Sequence, residues 1–184
     1  MKYWILMGML LFGCSRDFSN TASDTTFAIY LLQDKSLSAS EVFDTPLAEL
    51  ELSTTPWLIA GDLRMYDISS DVMVLRRKQR SDLLGTAMNS PLSNKPFVVV
   101  AGGERLYMGY FTHPASSMAL PLPSIYSVAD FGMFGPSVLT IHSRHFHEPD
   151  VRDHPRLVSA LKSSGIYHGG IEVILKDIEV VSNH

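Results

Sequence analysis

The stretch PFVVVAGGERLYMGYF, residues 96–111, constrains the fold more than any other part of the chain. Two runs rich in β-branched and aromatic residues flank Gly102-Gly103. Such a pair supplies the positive φ angles that a two-residue link between antiparallel strands requires. A β-hairpin is therefore expected. Counting outward from the turn pairs Ala101 with Glu104, Val100 with Arg105 and Val99 with Leu106.

Other segments carry weaker strand signals of the same kind. FAIYLL (27–32) reads as a buried strand opening the folded part of the chain. Residues 63–66 and 72–75 read as strands flanking the polar turn DISSD. Residues 125–128 and 137–143 are further candidates, and IEVILKDIEVV (171–181) reads as a final strand or bent strand pair. Helical signals are short. Several cap-forming residues precede Glu41, Val42 and Phe43, and residues 81–88 suit a short helix. Asp153 before Pro155 suits a helix start, Leu157, Val158 and Leu161 share one face, and Gly165 suits the stop. Mostly strands, without regular βαβ alternation or repeats, imply an α+β fold with a largely antiparallel sheet.

The chain of 184 residues is 46% hydrophobic and 18% charged, enough apolar material for one core and too little charge for disorder. A formal net charge of −4 argues against a generic nucleic-acid binder, which is normally basic.

The amino terminus has a different character. Met1-Lys2 forms a short positive start, and Tyr3 to Phe12 is an apolar run too short for a permanent membrane span. It ends Leu11-Phe12-Gly13-Cys14, which resembles the lipobox of bacterial lipoproteins. That resemblance implies a signal peptide over residues 1–13, lipid attached to the thiol of Cys14, and a mature chain beginning there. The polar segment 14–26 is then a lipidated tether and residues 27–184 a single domain. Anchoring through the lipid makes a membrane of the cell envelope the partner. Ser15, where an aspartate would favour inner-membrane retention in this family, implies the outer membrane in a Gram-negative host. Cys14 is the one cysteine in the chain, so the core must hold by packing without an intrachain disulfide. The set FAIYLL, PFVVVAGGERLYMGYF and PRLVSALKSSGIYHGG also resembles a group of secreted bacterial lipoproteins over most of residues 27–181. It implies one exported domain and lends no activity.

Candidate chemistry concentrates in IHSRHFHEPDVRDH, residues 141–154, which gathers His142, His145, His147 and His154 beside Glu148, Asp150 and Asp153. On a continued strand His145 and His147 share a face and His142 takes the other. A zinc or copper site needs three or four converging ligands, and no established spacing such as HExxH is present. The favoured reading is a polar strand end with no metal. The alternative is an exported metal-binding protein or metal-dependent enzyme. Arg76-Arg77-Lys78 and Arg80 read as a solvated strand end that discourages edge pairing, with anionic headgroups the alternative. His168-Gly169-Gly170 reads as a turn into the next strand. With no GxSxG elbow and no GxxxxGK[ST] loop, no catalytic residue and no cofactor is assigned. The expectation is a non-enzymatic binding or envelope accessory module.

Overall fold

In the computed structural model the described residues are 27–70, 72–76, 90–113, 115–117, 119–126, 138–142 and 151–169. They form nine strands: β1 (Phe27–Leu31), β2 (Leu58–Ile59), β3 (Leu63–Asp67), β4 (Val72–Leu75), β5 (Pro96–Ala101), β6 (Glu104–Thr112), β7 (Ser124–Tyr126), β8 (Val138–His142) and β9 (Tyr167–His168). Two α-helices accompany them, α1 (Ala39–Val42) and α2 (Pro155–Ser163). Expectations for residues 1–26, 77–89, 143–150 and 171–181 lie outside the described residues, Cys14, His145 and His147 among them.

The strands make one mixed sheet in the order β2-β1-β5-β6-β7-β8-β4-β3-β9. Most neighbours are antiparallel, while β6–β7 and β3–β9 are parallel. The expected strand-rich, largely antiparallel architecture is present. Both ends of the sheet are two-residue strands, too short to offer a long template to another chain. β4 lies between β3 and β8 and is not an edge strand, while Arg77, Lys78 and Arg80 of the basic run that follows it lie outside the described residues.

The sheet curls on itself. β1 and β3 stand near opposite ends of the strand order, yet the rings of Phe27 and Tyr66 meet edge to face at 5.9 Å. Helix α2 packs against β1, β5 and β9 and so bridges both ends of the sheet. Leu157, Ala160 and Leu161, spaced to share one stripe, enter the core beside Phe97, Phe111, Ile125 and Ile141. Val158, grouped with that stripe in the sequence reading, is half-buried.

The boundaries of α2 follow from local chemistry. His154, not Asp153, is the N-cap, its Nδ1 accepting from the Arg156 amide at 3.2 Å. Proline favours the first helical position, which leaves the cap to the residue directly before it. At the other end Gly165 has φ +68°, its amide donates to Lys162 O, and the Ile166 amide donates to Leu161 O. That pair of bonds is the Schellman closure, and Ile166 and Leu161 supply its apolar contact.

The central hairpin forms with one correction. Gly102 and Gly103 have φ +58° and +76°, and Ala101 faces Glu104 and Val100 faces Arg105 as expected. Val99 then pairs with Tyr107, not Leu106, because a bulge falls between Val99 and Val100 in the register. Leu106 is the extra residue. An unbulged strand alternating from outward-facing Arg105 turns Met108 inward and Tyr107 outward. The bulge reverses this, placing Tyr107 and Phe111 in the main core and Met108 with Val98 on the other face.

That second face is covered by the connection from β1 to β2. Leu37, Val42, Leu47 and Leu50 pack over Val98, Val100 and Met108. Arg105 ties the cover down, donating through Nη1 to the carbonyls of Leu50, at 2.8 Å, and Leu47.

The turn after β3 is organised by a fully buried carboxylate. Asp67 Oδ1 accepts from the Ser69 amide at 3.0 Å and hydroxyl at 2.8 Å, and Oδ2 accepts from the Ser70 hydroxyl at 2.6 Å. Asp67→Asn keeps one acceptor oxygen and replaces the other by an amide nitrogen facing a hydroxyl. The expected cost is about 1 kcal/mol, the scale of one hydrogen bond, read as an earlier urea midpoint with an unchanged slope.

Candidate functional site

The histidine segment divides. His142 ends β8, and its ring lies 4.7 Å from the ring of Tyr126 on β7, tilted by 52°. Beside it Arg152 Nη1 donates to Ile141 O at 2.7 Å. His154 serves as the cap of α2, with Nδ1 occupied by a backbone amide. Asp153 closes the one-turn 3-10 helix Val151–Asp153. His145, His147, Glu148 and Asp150 lie outside the described residues. Among the described residues, no three His, Cys, Asp or Glu side chains form a group able to hold a metal.

Two other sequence features also take structural places. His168 belongs to β9, paired in parallel with Asp67, so it is strand before it is turn. Helix α2 further carries an S-x-x-K spacing, Ser159 to Lys162, which corrects the reading that this spacing is absent from the sequence. Both residues are exposed, and the Lys162 ammonium sits 4.8 Å over the Tyr167 ring.

One concavity among the described residues lies elsewhere, at the end of β1 and the start of β5. Leu31, Leu32, Leu37, Pro91, Leu92 and Pro96 line a pocket of about 230 Å³, with Asp34, Lys35 and Lys95 completing it. Its construction starts from two short loops. After Leu32, which bridges to Leu52, the chain turns at Asp34, whose Oδ1 accepts from the Ser36 amide at 2.8 Å and hydroxyl at 2.6 Å. Aspartate favours this local turn because its short side chain reaches the backbone two residues on. The Ser36 hydroxyl, then its amide, hold the Asp34 carboxyl below its ordinary pKa.

Leu37 follows, and Ser38 caps α1. The Ser38 hydroxyl and amide both donate to Glu41 Oε2, at 2.6 and 2.8 Å, and in that order they also lower the Glu41 pKa. Both carboxyls are exposed, so these bonds shape the loop more than they stabilise the domain.

The facing wall is the approach to β5. The Lys95 amide donates to Leu92 O, and Asn94 takes φ +60°, a conformation asparagine tolerates better than most residues. The two loops are stitched together. The Ala39 amide donates to Asn94 O at 2.8 Å, and Lys95 Nζ donates to the carbonyls of Ser36 at 3.0 Å and Leu37 at 3.3 Å. The result is an apolar hollow with a fixed ammonium, an exposed lysine and a self-bonded carboxylate around it. Such a hollow suits binding: apolar walls supply affinity and a few polar groups supply orientation.

Sequence reasoning did not find this site, because its walls come from segments about sixty residues apart and neither wall carries a motif. The local signals that were present, the D-x-S turn and the Ser38–Glu41 cap, announce loop geometry alone. Among the described residues no helix is long and apolar enough to cross a membrane. Comparison with protein families, with curated proteins and with solved structures gives no match for this chain.

Proposed function

We propose that the chain is an exported bacterial lipoprotein whose α+β domain, residues 27–184, acts as a non-enzymatic binding module of the cell envelope. The pocket between the β1 and β5 loops is its ligand seat. The observation that carries the binding role is that pocket, apolar in lining and held open by hydrogen bonds between its two walls. The anchor rests on Lys2, the apolar run and Gly13-Cys14. Acylation on more than one chain gives stable attachment, where a single chain gives marginal binding. Ser15 favours the outer membrane if the host has one. β1 begins at Phe27, where the tether ends, and runs to Leu31 at the pocket, roughly 13 Å of extended chain. The proposed tether would join this strand at Phe27, the end away from the pocket.

Metabolic labelling with a clickable fatty acid tests the anchor. Wild-type protein is expected to be labelled and to fractionate with membranes, and Cys14→Ser to lose both properties. Equal labelling of the two proteins removes the anchor from the proposal.

A further inference from the structure

We infer that the pocket selects a small apolar molecule ending in a carboxylate, of about the size of a six-carbon acid. This deepens the binding-module reading and rests on it. Size comes first. An apolar cavity of ~150 Å³ accommodates benzene, so a hollow of about 230 Å³ takes a molecule somewhat larger than one ring. Leu31, Leu32, Leu37 and Leu92 with the two prolines offer its body no hydrogen-bonding side chain.

The head group is decided by the balance of charge in the lining, two lysines against one aspartate. A lysine ammonium has three donors. Lys95 gives two of them to the carbonyls of Ser36 and Leu37, which carry no formal charge, and one donor and the full positive charge remain. Those two bonds also hold Nζ at the pocket, so little side-chain freedom is lost when a ligand arrives. Lys35 adds a second cation to the lining.

Two carboxylates oppose them, Asp34 in the lining and Glu41 within electrostatic reach of Lys95. Each already accepts a hydroxyl and an amide from its own turn, Asp34 from Ser36 and Glu41 from Ser38. A ligand carboxylate gains a charge-assisted bond from Lys95. Both carboxylates keep their charge and further lone pairs, but Glu41 is not among the lining residues. A ligand ammonium therefore meets two lining cations against one carboxylate, and a ligand carboxylate meets the excess of positive charge.

Titration of methyl-labelled full-length protein with hexanoate, hexylamine and 1-hexanol tests the assignment, followed on Leu31, Leu37 and Leu92 resonances. Hexanoate is expected to shift them saturably and to bind at least tenfold more tightly than hexylamine. Lys95→Met is expected to reduce hexanoate to the affinity of hexanol, while Lys95→Arg retains most of it. Leu37→Trp fills the hollow and is expected to abolish all three responses with the resonances of Val72 and Val74, which belong to a separate cluster, unmoved. Equal binding of hexanoate and hexylamine, or hexanoate binding indifferent to Lys95→Met, overturns the carboxylate assignment and leaves the ligand seat standing. If Lys95→Met does not fold, the three-probe comparison on unmutated protein decides by the same tenfold criterion. Absence of saturable shifts with all three probes overturns both the assignment and the seat.

Discussion

Replacing Gly102 and Gly103 together by valine is expected to destabilise the protein by about 4 kcal/mol, taking ~2 kcal/mol for each strained residue. Both positions have φ in the left-handed region, +58° and +76°. A β-branched side chain is among the worst suited to that conformation. The turn has no cheap way to relax. Ala101 and Glu104 pair directly on either side of it, and Ala101 is fully buried on a strand that also pairs with β1. Moving the turn therefore moves the core. For a chain of this size the expected fall in thermal midpoint is roughly 8–16 °C. Gly102→Asn is the discriminating control, since Asn-Gly is a favoured pair for two successive positive φ angles. It is expected to remain near wild type. A valine pair that melts with the wild-type protein contradicts the turn geometry outright.

This turn was legible in the sequence because its requirement is local: two adjacent residues must take positive φ, and glycine does so at little cost. The same holds for the Gly165 stop of α2 and for the strand of residues 27–31. The bulge at Leu106 was not legible. Its cause is the demand that Tyr107 and Phe111 reach the inner face, where Phe111 meets Phe97 at 5.2 Å and Trp57 at 4.8 Å. Nothing between residues 104 and 108 announces that demand. The edge strands β2 and β9 were missed because two residues carry no periodicity. The parallel pairs β6–β7 and β3–β9 depend on where long connections land, which is a property of the assembled sheet.

The candidate site was less legible still. The histidine segment is conspicuous in the sequence because imidazoles and carboxylates stand out by residue type. The pocket instead uses leucines and prolines, which look like ordinary core and loop residues until two walls meet. Lys95 is the instructive case. In sequence it is one lysine before a proline, with no charged neighbour to mark it. In the fold its ammonium reaches across to Ser36 and Leu37 and becomes the fixed charge of the hollow. Its role comes from that placement.

Gly109→Ala is expected to cost about 3 kcal/mol, the upper end of the usual range for overpacking a core, although it adds a single methyl group to a position with ordinary strand geometry. The reason is contact. On β6 Gly109 pairs directly with Phe97 on β5, and the Phe97 ring lies over the place a side chain would fill. A Cβ there comes within 2.3 Å of Phe97 Cζ, 2.6 Å of Phe97 Cε2 and 2.7 Å of the carbonyl oxygen of Pro123. The ring has no room to swing aside, because Phe97 is fully buried and packs edge to face on Phe111. The Pro123 carbonyl is no freer, since it accepts the Tyr110 amide at 3.0 Å just before β7 joins β6. Alanine must displace an aromatic core residue or pull β7 away from β6. Phe97→Leu in the Gly109→Ala background separates these routes. If the ring is the main obstacle, the second substitution restores part of the lost stability even though Phe97→Leu alone lowers it. A double variant whose losses simply add points to the Pro123 carbonyl as the dominant clash, and a Gly109→Ala protein as stable as wild type removes the close approach of β5 and β6 on which the packing rests.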